Sequence, residues 1–173
     1  MQTTRRTILD TPVIARIRRN HGLEHATLTI LARTHKGIPL AGHSNPNGFW
    51  VIGDVSTEAL ADAVVEAQRR LRAGERNLAV HPNCGTNFVT SGVFAGIAGA
   101  AAMLGAGPRT RDKLERLPLA TLLATLALIV ARPVGLLVQE RITTTGDIGD
   151  LQVVEIQRAT RGGIPAHRVI TQG

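Results

Sequence analysis

Two long stretches without charge restrict the folds open to this chain more than any other feature. Residues 89–106 contain no charged side chain, and residues 117–139 contain a single one, Arg132. An α-helix crosses the apolar core of a bilayer in about 20 residues. The second stretch reaches that length and the first comes close to it. Together with the short basic segment 107–116 between them, they predict a helical hairpin that inserts into a membrane.

A soluble alternative stays open, because two buried helices in a globular core would have the same composition. The spacing of Gly92 and Gly96 favours the membrane interpretation, since small residues four apart let membrane helices approach closely. The same small-residue faces would allow two copies to pair, so we expect a homo-oligomer as one form. The two stretches thus predict two spans in the cell membrane. Their orientation is not fixed, because basic residues both precede the hairpin and fill its connection.

Composition excludes several function classes. Cys84 is the only cysteine, which excludes an internal disulfide framework. Only 2% of the residues are aromatic, so the chain lacks the stacking platforms of single-strand nucleic-acid readers. We therefore expect no nucleic-acid partner despite the net charge of +7, and expect membrane lipid instead. Arg16 and Arg18 interrupt the first apolar stretch, so no cleavable signal peptide is predicted.

Local signals predict an α+β fold: a small α/β unit with a metal-site helix, plus the hydrophobic hairpin. Thr11-Pro12 is typical of a helix start, and Gly37 of a helix end. The turn-rich HSNPNG sequence predicts a β-hairpin. Ser56 predicts the start of a second helix, which is expected to end at Gly74. Residues 77–80 are expected to form a short strand. Strands at 151–156 and 169–170 are expected to pair. The predicted domains are 1–88, 89–140 and a β segment with a basic tail, 141–173, packing on the first.

The candidate chemistry lies in the first helix, at His21, Glu24 and His25. In a helix, residues three and four apart share one face, so both imidazoles can reach one metal ion and the carboxylate can reach a metal-bound water. These three residues fall on the apolar stripe of the helix. Ionisable groups that face a core are costly unless they are paired or metallated, so the pattern predicts a zinc site. A buried polar network without metal is the alternative.

Further ligands are predicted from the loop HPNCGTN. His81 and Cys84 have the spacing of a metal-binding turn. With both histidines of the helix they would close a tetrahedral structural site, whereas three ligands and a water would leave it open for catalysis. Glu140 is an alternative third ligand. Other loop residues are candidates for substrate contact or loop support: Asn83, Thr86 and Asn87.

Several residues keep alternative interpretations. Cys84 could act as a nucleophile with a histidine as base, or be an inert buried thiol. Pro133 predicts that the second apolar helix ends near Ala131. The remaining histidines are expected to be solvated or at a helix end: His35, His43 and His167.

These motifs carry two resemblances. The segments NHGLEHA (20–26), HPNCGTN (81–87) and RPVG (132–135), with Gly48-Phe49, resemble a small bacterial family of unknown function over residues 12 to about 157. His21, Glu24 and His25 also resemble the inverse-zincin peptidase motif, which implies that the histidines bind zinc and the glutamate activates water. This chain departs from those peptidases in its short length and in lacking a clear third ligand.

Two functions follow as hypotheses. The first is a membrane-associated zinc-dependent hydrolase in which Glu24 takes a proton from metal-bound water, with a peptide as a candidate substrate. The second is a non-catalytic structural or sensing protein in which a His/Cys zinc clamp ties the loop to the helix.

Overall fold

The structure is a computed structural model that describes residues 7–173, and this part of the chain forms two compact units. Of the described residues, the first unit contains 7–81 together with Glu140–Gly173, and the second contains Pro82–Gln139. Across the described residues there are four α-helices and one four-stranded antiparallel sheet, which confirms the predicted α+β class.

The two helices of the first unit begin where their sequence signals predict. Helix α1 (Pro12–Thr34) has Thr11 as its N-cap and proline at the first helical position, where the missing N–H has no intrahelical partner to lose. Helix α2 (Thr57–Arg72) is capped by Ser56, whose Oγ accepts a hydrogen bond from the Ala59 N–H at 3.1 Å.

The sheet combines a hairpin that follows α1 with a second hairpin near the C-terminus. Strands β1 (Ala41–Asn45) and β2 (Gly48–Ile52) form the expected hairpin, and β3 (Gln152–Arg161) and β4 (Ile164–Gln172) form a second one. The order is β1-β2-β4-β3, with every neighbour antiparallel. The predicted pairing near the C-terminus is confirmed, since Ile156 lies opposite Val169.

One face of the sheet packs against α1 and α2 to form the core of the first unit. Phe49 and Val51 from β2 and Val169 from β4 are fully buried there. Because strand residues alternate between faces, Trp50 lies on the opposite face. The helices supply further fully or almost fully buried residues to this core, among them Leu23, Leu31, Leu60, Val64 and Leu71.

The predicted strand at 77–80 is wrong. Residues Arg76–Ala79 form a short 3₁₀ helix, in which the Leu78 N–H donates to the Glu75 carbonyl at 3.1 Å. Leu78 and Ala79 join the core through this turn. Their hydrophobicity therefore reflects burial, which a short apolar run can achieve as a helical turn as well as a strand.

The second unit is built from helices α3 (Gly85–Ala102) and α4 (Thr110–Val138). The basic connection is mostly part of α4, where the Asp112 carboxylate accepts a hydrogen bond from the Arg109 N–H at 3.2 Å. The expected end near Ala131 is also wrong. The helix continues through Pro133 to Val138 and passes into a π-helical turn, Gln139–Thr143, because a proline removes one hydrogen bond without ending an otherwise favourable helix.

Of the helices that the structure describes, one is long and apolar enough to cross a membrane: Thr110–Thr143, with 34 residues. The expectation of two spans is therefore corrected. Helix α3 has only 18 residues, and its first two turns carry Thr86, Asn87 and Thr90, so its apolar part falls short of the roughly 20 residues that a span needs. A core helix of a soluble protein would be mostly buried, whereas 11% of the most apolar part of Thr110–Thr143 is buried.

Candidate metal centre

The first unit brings two histidines of α1 together. The ring centroids of His21 and His25 lie 4.3 Å apart, with their planes inclined at 62°. His25 is buried and His21 half-buried, as the i,i+4 spacing on the apolar stripe predicts. Both rings therefore share one face of the helix, close enough for one atom to contact both.

Both rings are oriented by backbone carbonyls from outside α1. His25 Nδ1 lies 2.8 Å from the Ala79 carbonyl oxygen, and His21 Nδ1 lies 3.0 Å from that of Thr143. Ala79 ends the 3₁₀ helix and Thr143 ends the π-helical turn, positions whose carbonyls lack a partner within the helix. Because a carbonyl only accepts, each neutral ring donates from Nδ1 and carries its lone pair on Nε2.

Glu24 is buried next to these histidines, with 4% of its surface exposed. Its carboxylate lies against Gly42 of β1, at the point where a Cβ on residue 42 would stand. The absence of a side chain at Gly42 therefore provides the space for the Glu24 carboxylate.

Two residues of α1 fix the helix against its surroundings. Asn20 is fully buried; its Nδ2 donates to the Asn45 carbonyl at 2.9 Å and its Oδ1 accepts from the Thr171 hydroxyl at 2.7 Å. A Cβ on Gly22 would collide with the backbone of Thr145, so α1 approaches this segment as closely as only glycine permits.

His81 is the third histidine of this cluster in the first unit. Its ring centroid lies 5.7 Å from that of His25. Burial lowers the pKa of His81, which favours the neutral form that binds metals.

The other loop candidates belong to the second unit. Cys84 is buried and is the N-cap of α3, while Gly85–Asn87 form the first turn of that helix instead of continuing the loop. Asn87 is buried and its Nδ2 donates to the Pro82 carbonyl at 2.7 Å, which gives it a structural contact in the turn. Asn83 is exposed and Thr86 half-buried, so contact of either one with substrate stays a prediction.

Glu140 is exposed on the π-helical turn. Its role as a third ligand stays a prediction.

The expectation that His167 is solvated is wrong. It is fully buried on β4, where its Nε2 lies 3.0 Å from the Thr57 hydroxyl oxygen. Burial, followed by the charge of Arg158, lowers the pKa of His167. The prediction rested on the basic residues around His167 in the sequence. It missed that residues of β4 alternate between the two faces of the sheet, which places His167 on the core side. His43 is exposed as expected, and His35 is the C-cap of α1.

Sequence reasoning did not assign Asn20 and Gly42 to the site. An asparagine inside a strongly periodic helix is a usable signal, because its intrinsic helix propensity is poor. Nothing local marks Gly42, since its role depends on a contact with α1.

Comparison with known proteins identifies a family and a relative of this chain. Residues 16–156 match the family described as Domain of unknown function (DUF6391). An uncharacterized protein of Picosynechococcus sp. is 38% identical over 164 residues, covering 88% of this chain and 78% of that relative. No solved structure matches the chain. The expected resemblance to a family of unknown function is thereby confirmed, while the resemblance to inverse-zincin peptidases stays a prediction.

Proposed function

The chain belongs to the family Domain of unknown function (DUF6391), and on that premise we propose that it is a membrane-associated zinc hydrolase with His21 and His25 as ligands. The observation that carries the proposal is the pair of carbonyl contacts, Ala79 to His25 and Thr143 to His21. Metal-binding histidines typically donate their second ring N–H to a carbonyl or carboxylate, which fixes the tautomer and the ring orientation.

Burial supports a metal in this place. The imidazoles of His21 and His25 lie together, and the Glu24 carboxylate on the same helix is buried in the first unit as well. Transferring such groups out of water costs several kcal/mol unless they are paired, hydrogen-bonded or metallated. A divalent cation bound through the Nε2 atoms would offset that cost and balance the carboxylate charge.

Donor chemistry favours zinc and suggests a third ligand. Besides the two histidines of α1, the sequence offers the thiol of Cys84 in the segment HPNCGTN. Imidazole nitrogen and thiolate sulfur are the donors that zinc takes most often, in four-coordinate sites. Cys84 follows His81 by three residues, the spacing of a metal-binding turn, and we propose it as the third ligand.

Glu24 is the proposed general base. It adjoins His25 in the sequence, and it is the one buried acidic side chain among the described residues. Bound zinc lowers the pKa of a coordinated water to about 7. The Glu24 carboxylate would then accept the water proton and later return it to the leaving group. Peptides or other acyl compounds are the proposed substrate class.

A closed zinc clamp is the second candidate function. The observation in its favour is the His81 ring, 5.7 Å from that of His25. With Cys84 it would complete a four-ligand site that excludes water, and the ion would then contribute to folding instead of catalysis.

The metal is tested by mass spectrometry of purified protein. We expect about one zinc per chain in the wild type and almost none in a His21→Ala/His25→Ala variant. A His35→Ala/His43→Ala variant, which removes two histidines outside the cluster, should keep its zinc. Equal zinc in the first variant and the wild type would contradict the proposed ligands.

Two further variants separate the hydrolase from the clamp. Glu24→Gln keeps the size of the side chain and removes the base, so zinc content should persist while hydrolysis of a fluorogenic peptide pool falls about 10²–10⁴-fold. Cys84→Ser should reduce zinc content in both functions. If Glu24→Gln is silent while Cys84→Ser and His81→Ala each lose zinc and unfold at lower temperature, the clamp is the correct function.

A further inference from the structure

The outer face of the sheet, opposite the core, carries an unusual group of side chains. Across β1, β2, β4 and β3, the directly opposed residues are His43, Trp50, Arg168 and Gln157. Arg161 near the end of β3 completes the group. We call these five residues the Trp50 face.

Trp50 is flanked by two guanidinium groups. The Cζ atoms of Arg161 and Arg168 lie 5.4 Å and 5.5 Å from the centre of its ring, within cation–π range. Arg168 also donates to the Asn45 side chain at 2.8 Å, and its Nη1 is buried without a hydrogen-bond partner among the described residues. The arginines are thus held beside the indole, and Arg168 keeps N–H groups that can donate hydrogen bonds to a ligand.

The face is positively charged, and among the described residues of the first unit α1 and α2 pack on the other side of the sheet, in the core. Arg161 and His43 are exposed, and Trp50 and Arg168 half-buried. Glu155 is the acidic residue of the outer face of β3, opposite Ile170 and outside the row that contains Trp50. An anionic partner with a flat surface is therefore the complementary one.

We propose that the Trp50 face binds the headgroups of anionic phospholipids. Trp is enriched at the headgroup level of bilayers, where its ring is apolar and its N–H is solvated, and arginines bind phosphate by paired hydrogen bonds. An anionic bilayer is favoured over other polyanions as the partner, because the helix Thr110–Thr143 would hold the chain at a membrane. The inference rests on membrane association and is independent of the metal.

The chain contains one tryptophan and no tyrosine, so its fluorescence reports on Trp50 directly. The full-length protein is incorporated into nanodiscs of phosphatidylcholine alone or mixed with phosphatidylglycerol. Both contain a lipid with a nitroxide on its headgroup, which quenches nearby indoles. We expect strong quenching only with phosphatidylglycerol, and loss of most of it at high salt, because surface charges are then screened.

A double variant and a matched control locate the effect. Arg161→Gln/Arg168→Gln should lose the phosphatidylglycerol-dependent quenching. Arg33→Gln/Lys36→Gln removes the same charge from exposed residues at and just beyond the end of α1 and should keep it. Circular dichroism of both variants confirms their fold.

Three outcomes would overturn the inference. Quenching that is equal in the two lipid mixtures removes the role of the anionic headgroup, and equal loss in both variants assigns the effect to bulk charge. Loss of the nanodisc quenching on addition of inorganic phosphate or RNA, at an ionic strength at which sodium chloride has no effect, assigns the face to another anion. Protein that enters neither nanodisc contradicts membrane association itself, which distinguishes that failure from a failure of the Trp50 face.

Discussion

The Glu24 carboxylate of α1 lies where a side chain on Gly42 of β1 would stand. The two residues are 18 positions apart in the chain, and the position of one limits the identity of the other. The Glu24 carboxylate, the proposed base, therefore fits in this position because residue 42 on the neighbouring strand has no side chain.

Gly42→Ala should displace Glu24 and leave the histidines in place. We expect near-normal zinc content and a loss of hydrolysis of about 100-fold, since a misplacement of a catalytic group by about 1 Å has that effect. Zinc content and peptide hydrolysis are measured on the same preparation. Gly99→Ala is the control, because a Cβ there meets no described atom within 4 Å; an active Gly42→Ala enzyme would contradict the role of Gly42.

Asn20→Ala should destabilise the first unit by roughly 2–4 kcal/mol, because it leaves the buried Thr171 hydroxyl and the Asn45 carbonyl without their partner. Thermal unfolding followed by circular dichroism measures the change. The control is Asn77→Ala, an exposed asparagine whose loss should stay within about 0.5 kcal/mol. Equal stability of the two variants would show that the Asn20 hydrogen bonds contribute nothing net.

His167 should make stability depend on pH. Its pKa is lowered in the folded state, so the unfolded chain binds the proton first, at about pH 6.5. The contribution is fully present above that pH and is lost as the pH falls toward the lower folded-state pKa. Glu58, which raises this pKa, opposes the effect only in part.

The measurement is the melting temperature at about pH 7.5 and about pH 5.5. His167→Gln should have a smaller decrease between the two pH values than the wild type. His43→Gln, in which an exposed histidine is replaced, should decrease as the wild type does. An unchanged slope in His167→Gln would place the pH dependence at other groups.

Ile129→Arg tests the membrane-spanning helix. An arginine at the centre of a span costs about 2.5–3.5 kcal/mol, so the variant should leave the membrane fraction on alkaline carbonate extraction while the wild type stays. Val65→Arg is the matched control, since Val65 on α2 is 66% exposed and Ile129 is 67% exposed. Wild-type protein that is monodisperse in buffer without detergent would refute membrane insertion.

Much of the secondary structure was predictable because its signals are local. Ser56 and Thr11-Pro12 mark helix starts through the first few backbone N–H groups, and the β-branched residues of 151–156 mark a strand. Segment 77–80 was not predictable in this way. Its short apolar run fits a strand and a helical turn equally, and contacts of Leu78 with the distant core decided between them.

The sequence by itself determined that His21, Glu24 and His25 share one face of α1, because a helix sets the directions of residues three and four apart. It also determined that the apolar stretch from residue 117 is a helix, because composition and length suffice for that, whereas its continuation through Pro133 was not predicted. Only the tertiary structure decided what orients the histidines, what makes room for Glu24 and why His167 is buried. The carbonyls of Ala79 and Thr143 and the vacant Cβ of Gly42 come from segments far away in the chain. Contacts of that kind depend on how the elements pack, which no local pattern contains.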